Sequence, residues 1–452
     1  MNYYPAQNNW ANMWINWDPG TITTDFGRIA ALHANTVRVI LQTSTIGYPT
    51  PQPAMIQHLS QMVAIAQGQG LRVQLTLFDW WHSYGDISGS QQWVQGVLGP
   101  LAHDPRIAFI ELQNEINPYD ATAIAWARQM LPFVRNIAAG IPVTISVSGQ
   151  YGADGLHTLL ASLMPIQPDF ADFHYYGAAE LSFTTFQRAM QAAAPLPLFI
   201  GETGFSTAPS NVAAVGGLPD TTPALEAYQD YYYRMVEYAA SVLGLPPVAV
   251  WTLSDFAPGS VSWSAPNGPE YGFGLYHVDG TAKPIAASVA RGYGTGTVDT
   301  SFNQDFETCA GGTPALWRLF HADQAQFACD TTVAYSGHTS ARISASGGDA
   351  SGVPAFFLSP PVPGLVPGRL YTASVWARGQ NLTGATQVAL AWFDAGGNYL
   401  GTTASGPLPT GTTAWTQLTA TSAAPATAAY VQIHLKSAYN SGIAWFDDVS
   451  FQ

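Results

Sequence analysis

Two glutamates each close a short apolar run of the kind that forms a buried strand. One run, Ile107-Ala108-Phe109-Ile110-Glu111-Leu112-Gln113, leads into Asn114-Glu115; the other, Pro197-Leu198-Phe199-Ile200-Gly201, leads into Glu202. A carboxylate at the C-terminal end of a parallel strand faces the mouth of a barrel, where side chains from several strands converge on one ligand. Two carboxyl groups so placed can cleave a glycosidic bond, one as acid/base and the other as nucleophile. That chemistry asks for one ionised carboxylate and a second held protonated near neutral pH. Further polar and aromatic residues sit at matching places: Arg38, Asp79, Trp80, Trp81, His82, His174, Tyr176 and Trp251. An arginine favours the ionised nucleophile, and a tyrosine hydroxyl can hold its orientation. An asparagine just before the acid, here Asn114, can bind the sugar 2-hydroxyl. An indole supplies a flat stacking face. Taken singly, Arg38 has an ordinary explanation as a salt bridge, His174 as a satisfied buried histidine and Trp251 as core. Their joint arrival at one end of one barrel is what points to a site. Glu111, four residues before Glu115, faces the same side at greater depth and reads as a buried structural acid.

The elements that would position these residues are eight apolar runs: Asn2–Tyr4, Thr36–Leu41, Arg72–Leu77, Ile107–Leu112, Val143–Val147, Phe170–His174, Leu198–Gly201 and Val248–Leu253. Helix-like stretches such as Thr24–Ala34, Ala54–Gln69, Ala121–Ala139 and Ala224–Leu243 separate them. Alternation of this kind predicts parallel βαβ units closing into a (β/α)8 TIM barrel over residues 1–291. Gly292-Tyr293-Gly294-Thr295-Gly296-Thr297 opens a linker predicted over 292–301. From 302 to 452 the pattern becomes short alternating runs, Arg369–Arg378, Thr386–Phe393, Ala429–Leu435 and Ala444–Phe451, separated by Gly, Pro, Asn and Asp. That texture predicts an all-β sandwich.

Composition narrows the partners. The formal net charge of -14 disfavours nucleic acid and anionic membranes, and charged residues make up only 10% of the 452. A neutral carbohydrate substrate suits such a surface. Aromatics reach 12%, with 14 Trp; rings that stack on sugars are one reason to carry so many, although most must still be core. No run of apolar residues is long enough for a membrane helix, and no leader precedes Asn2-Tyr3-Tyr4-Pro5. Cys309 and Cys329 are the only cysteines. A disulfide between them fits a secreted, extracellular protein; two buried thiols are the alternative. His-Glu-x-x-His, paired-Cys and Gly-x-Ser-x-Gly motifs are absent, so catalysis is expected to need no cofactor.

Asn114-Glu115, His174-x-Tyr176, Glu202 and Trp251, in register with their strands, resemble clan A glycoside hydrolases, most closely the cellulase-like glycoside hydrolase family 5. The resemblance covers about residues 1–290. It implies Glu115 as acid/base and Glu202 as nucleophile of a retaining β-glycoside hydrolase acting on neutral β-linked glycans or oligosaccharides, expected to be a monomer. Arg38, Asn114, His174, Tyr176 and Trp251 would support them. Many members carry a histidine at the end of strand 3, where this chain reads Phe78-Asp79-Trp80-Trp81-His82, so Asp79, Trp80, Trp81 and His82 enter as subsite candidates. A transglycosylase using the same residues and a non-catalytic glycan-binding protein are the competing readings. Residues 302–452 resemble jelly-roll carbohydrate-binding modules through Asn303-Gln304-Asp305-Phe306-Glu307 and Trp445-Phe446-Asp447-Asp448-Val449. That resemblance implies a structural calcium ion held by Glu307 with Asp447 or Asp448. Trp317, Trp376, Trp392 and Trp415 are its candidate sugar platforms.

Overall fold

The computed structural model describes residues 1–209, 221–347 and 353–452. The chain divides into two compact units. The first comprises Met1–Gly177, Thr185–Ala208 and Tyr232–Val298; the second comprises Ala178–Thr184, Pro209–Tyr231 and Asp299–Gln452.

The first unit is parallel α/β. Its strands are β1 (Thr36–Ile40), β2 (Arg72–Phe78), β3 (Ile107–Gln113), β4 (Val143–Thr144), β5 (Ser146–Ser148), β6 (Ala171–Tyr175) and β7 (Leu198–Thr203). They form a four-stranded sheet, β1-β2-β3-β4, and a three-stranded sheet, β5-β6-β7, with every pairing parallel. β2 is buried from Val73 onward and β6 throughout, as expected for strands covered on both faces. The intervening helices start where local chemistry satisfies their free N–H groups. Asp18 caps Pro19–Ala31 by accepting from Gly20 and Thr21, and Asp120 caps Ala121–Ile137 by accepting from Thr122 and Ala123. The first of these helices begins five residues before the expected Thr24, because Asp18-Pro19 is itself a start signal: a capping acid followed by proline at the first helical position.

The ladders do not close into the regular eight-stranded ring that the sequence predicts. Asn2–Tyr4 and Val248–Leu253 contribute isolated bridges only, Asn2 to Arg38 and Val250 to Thr203. The fifth run breaks at Ile145 into β4 and β5. Prolines explain part of this, since Pro5 ends the first run and Pro246-Pro247 precede the eighth, and neither can donate to a ladder. The Asn2 side chain supplies a substitute, its amide donating to the Gly201 carbonyl at 3.1 Å while its backbone N–H reaches Val250 at 3.1 Å. The predicted linker is also shifted. Pro284–Thr295 is helical, and Gly296, at φ 67°, donates to the Gly292 carbonyl as a left-handed cap.

The second unit contains two antiparallel sheets. One runs in the order Arg318–Phe320, Ala355–Leu358, Ala428–Ala438, Ala385–Asp394, Tyr399–Ala404, with Val362–Pro363 also pairing Ala428–Ala438. The other runs Gln326–Asp330, Ser340–Ser346, Asn440–Phe451, Leu370–Leu382, Gly411–Ala423. Inward residues fill the space between them, Tyr371 of one sheet meeting Trp392 of the other with ring centroids 6.0 Å apart. Cys309 and Cys329 form a disulfide that fastens the ribbon Cys309–Pro314 to the edge strand Gln326–Asp330. Cross-linking residues 20 apart removes chain entropy from the unfolded state worth about 3 kcal/mol. Cys309→Ser paired with Cys329→Ser is therefore expected to lower the unfolding free energy of this unit by about 3 kcal/mol, read from a denaturant midpoint shifted down at unchanged slope; an unchanged midpoint would mean the bond constrains nothing.

Candidate active site

Arg38 lies at the centre of the site. Its side chain is buried on β1, and every nitrogen has an acceptor. Nε donates to Glu111 Oε2 at 2.8 Å and to Thr76 Oγ1 at 2.9 Å; Nη1 donates to Asn2 Oδ1 at 2.9 Å; Nη2 donates to Asn114 Oδ1 at 2.8 Å. Nη1 also pairs with Glu202 Oε1. Parallel register explains the convergence: Arg38 lies opposite Gln74, Thr76 opposite Glu111, and His174 opposite Glu202. Burial works against the guanidinium charge, but Glu111, Glu202 and Asp172 outweigh it and raise the Arg38 pKa. Glu111 accepts from Arg38, Thr76 and Gln74, a structural acid below the site as its sequence position suggested.

The two glutamates flank His174. Glu202, at the end of β7, has its second oxygen held by Tyr176 Oη at 2.8 Å. Glu115 follows β3 in the left-handed region, φ 47°, which a non-glycine residue adopts only when its surroundings hold it there. Its N–H donates to Ser146 Oγ at 2.8 Å. His174 Nδ1 sits 3.1 Å from Glu115 Oε1 and 3.5 Å from Glu202 Oε2. One carboxylate oxygen of Glu115 and one of Glu202 lie within 4.8 Å of each other.

The site's charges fix where its proton rests. Burial lowers the proton affinity of His174, but Glu202, Glu115 and Asp172 outweigh it and push the imidazole up to about 9. Burial alone would raise Glu115; the hydrogen bond and charge of His174, with Ser148 and Arg38, outweigh it and leave the carboxyl below its ordinary value. The carboxyl expected from sequence to carry its own proton is thus favoured in its charged form by His174 beside it. Asp79 is pushed up to about 6, chiefly by burial, while its Oδ1 accepts from Asn114 Nδ2 at 3.0 Å. Asn114 is therefore gripped on both sides, by Arg38 and by Asp79.

Aromatic rings line the mouth. Trp251 is buried beside Trp10, 6.1 Å between centroids, and Trp10 stacks on Tyr4 at 4.8 Å. Trp80 and Trp263 meet edge to face at 5.4 Å and remain 56% and 47% exposed, two open indole faces. Trp81 and His82 do not join them. Trp81 is buried against Tyr48 and Phe78, the latter also meeting Trp93 and Trp126, and His82 faces solvent. A positive φ of 49° at Trp80 turns the chain there, so consecutive residues diverge in direction.

Sequence reading passed over Asp172 and Ser146. Asp172 was within reach, since alternation along β6 puts it on the same face as His174 two residues later. Glu270, in the short helical turn Pro269–Gly272, is pushed up to about 7 by burial and then by Glu202, with the Trp251 indole acting the other way. Two groups, Glu111 with Asp172 and His174, and Glu115 with His174 and Glu202, are spaced closely enough for a metal ion. Arg38 already brings a cation to Glu111 and Glu202, and no metal ligand is assigned among them.

In the second unit Glu307 Oε1 accepts the N–H groups of His338 and Thr339 at 2.8 and 3.0 Å, and Asp447 Oδ2 accepts those of Tyr335 and Ser336 at 2.7 and 3.2 Å. Asp448 Oδ1 accepts from Ser336 Oγ at 2.9 Å. Trp317 and Trp392 are core residues, whereas Trp376 stacks on the exposed ring of Tyr335 at 4.2 Å with Trp415 beside it.

No protein-family model and no curated protein sequence matches the chain. Solved structures do. GH5_18 from Streptomyces cattleya, in complex with GlcNAc, is 20% identical with a TM-score of 0.52, over 67% of this chain and 82% of its own. GH5_18 from Bifidobacterium longum subsp. longum is 18% identical with a TM-score of 0.52, over 66% and 80%. Exo-beta-1,4-mannosidase Op5Man5 from Opitutaceae bacterium strain TAV5 is 19% identical with a TM-score of 0.51, over 66% and 59%. Over about two thirds of its length, the chain has the fold of clan A glycoside hydrolases.

Proposed function

We propose that the chain is a retaining β-glycoside hydrolase with Glu202 as nucleophile and Glu115 as acid/base. The observation that carries the reading is that Glu115 and Glu202 both close on His174 Nδ1, with one carboxylate oxygen of each within 4.8 Å of the other. Carboxyl groups about 5–5.5 Å apart suit double displacement, whereas inverting pairs stand about 6.5–9.5 Å apart to admit a water between them. In the first step Glu202 attacks the anomeric carbon, and the bond to the leaving oxygen breaks as Glu115 gives that oxygen a proton. In the second step Glu115 takes a proton from water, the water oxygen bonds to the anomeric carbon, and Glu202 departs as a carboxylate. Arg38 and Tyr176 hold the two oxygens of Glu202 throughout, and His174 stands ready to load Glu115 with its proton. Asn114, fixed by Arg38 and Asp79, is the group to meet the sugar 2-hydroxyl.

Neutral β-linked sugars are the proposed substrates. β-Mannosides come first, because one similar structure is an exo-beta-1,4-mannosidase and another holds Manb1-4GlcNAc. The test is sugar release from a panel of β-mannosides, β-glucosides and neutral β-linked polysaccharides. Activity on at least one is expected; silence across the panel alongside measurable glycan binding would favour a binding protein. The disulfide is consistent with an oxidising, extracellular compartment. Among the described residues no helix is long and apolar enough to cross a membrane.

For the second unit we infer a structural calcium ion at Glu307 and Asp447. Acids from its two ends reach the same loop, Tyr335–Thr339, and carboxylates are the hard oxygen ligands that calcium takes. Burial pushes Asp447 up to about 6, so its charge is poorly compensated by the loop N–H groups alone. Excess EDTA is expected to lower the melting temperature and added calcium to restore it. A melting temperature indifferent to both would mean that the N–H groups suffice.

A further inference from the structure

His174 has a third carboxylate behind it. Asp172 Oδ1 lies 3.9 Å from His174 Nε2, on the side of the ring away from Glu115 and Glu202. Asp172 and the ring of His174 are fully buried. Neither oxygen of Asp172 has a hydrogen-bond partner, and neither does Nε2. A buried carboxylate without a partner is costly, so its retention needs a reason. Backbone space is reserved for it as well. Gly201, the residue before Glu202, stands where any Cβ would collide with Asp172 Oδ1.

We propose that Asp172 is a positioning residue of the reaction: placed behind Nε2, it holds the His174 ring in the orientation and tautomer that deliver the Nδ1 proton to Glu115. The inference rests on the assignment of Glu115 as acid/base. The transfer balances. The Nδ1–H bond breaks as a bond to Glu115 Oε1 forms across 3.1 Å, Glu115 becomes the neutral acid, and His174 is left neutral with its remaining hydrogen on Nε2 facing Asp172. When Glu115 later takes a proton from the attacking water, the same path returns it to Nδ1. Without a negative charge behind Nε2, the neutral ring could adopt the other tautomer, and Glu115 would face a nitrogen holding a proton it no longer gives up.

The charged groups around the pair set the sign of its pH behaviour. His174 faces Glu115 from the turn after β3, Glu202 from β7 and Asp172 from its own strand; Asp172 faces Glu111 from β3, Arg38 from β1 and Glu202 from β7. Burial and then Glu111 raise Asp172 to about 7, against the pull of His174 and Arg38, and His174 stands at about 9. Between those values the pair is carboxylate and imidazolium. Asp172→Asn removes the negative charge, so the shared Glu115–His174 proton is lost at lower pH.

The experiment is the pH profile of kcat/KM for wild type and Asp172→Asn on the same substrate. The alkaline limb is expected to move down by about one pH unit or more, as a full charge at this distance allows, with the acidic limb and KM little changed. A variant that melts earlier but keeps the wild-type alkaline limb would overturn the proposal and leave Asp172 structural. Should the variant not fold, ¹⁵N-histidine spectra of the wild type decide. His174 is expected as imidazolium between about pH 7 and 9, passing above that to the neutral form with hydrogen on Nε2. A ring already neutral at the lower end, or hydrogen on Nδ1 alone, would overturn it. Those spectra need no substrate, and residual turnover in Asp172→Asn separates this proposal's failure from failure of the acid/base assignment.

Discussion

Glu202→Gln folds as the wild type does and loses turnover by a factor on the order of 10⁴ or more. The amide has the shape of the carboxylate, so Tyr176 and Arg38 keep a partner at that position, but an amide oxygen does not form a stable glycosyl ester. Both steps of double displacement pass through that ester, and on the proposed assignment Glu202 is the carboxylate that forms it. Asp79 is tied to Asn114, and Glu111 lies below Arg38 with its Oε2 bonded to Thr76 at 2.6 Å. Binding should survive, read as an unchanged Kd for the product sugar. Full activity in the variant would sink the assignment of Glu202.

Glu115→Gln has an effect that depends on the leaving group. General acid catalysis contributes about 10²–10⁴-fold when the departing oxygen needs a proton. Hydrolysis of an alkyl glycoside or a disaccharide should fall by that factor. An aryl glycoside with an acidic phenol leaves without help, so its first step should be nearly untouched, and a burst of phenol should precede slow release of the sugar. Equal losses on both classes would mean that Glu115 positions substrate and gives no proton. The left-handed backbone at Glu115 also makes the replacement informative about folding. Its N–H is held by Ser146 Oγ whatever the side chain, so stability should change little.

How much of this was legible in the sequence differs by level. Apolar runs ending in Glu115 and Glu202 revealed the carboxylates because a parallel strand brings its last residue to a common rim, whichever helices intervene. Arg38 and Tyr176 were readable for the same reason, and both sit on Glu202. Ladder closure was not legible, since it turns on prolines and on one side-chain amide, Asn2, standing in for strand hydrogen bonds. The packing of Trp81 was not legible, because adjacency to Trp80 says nothing of direction once the backbone there turns to positive φ. The seat of the proton was also out of reach. A sequence shows that His174 and Glu115 are present, but which of them holds the proton depends on three carboxylates drawn from separate strands.

The most direct test of the central claim is the anomeric configuration of the first-formed sugar, followed by ¹H NMR in the moments before mutarotation. On the proposed assignment Glu202 is the attacking group, so the β anomer is predicted to appear first and the α anomer only as it equilibrates. An initial α anomer would contradict the account, because water would then have attacked directly and Glu202 would never have carried the sugar.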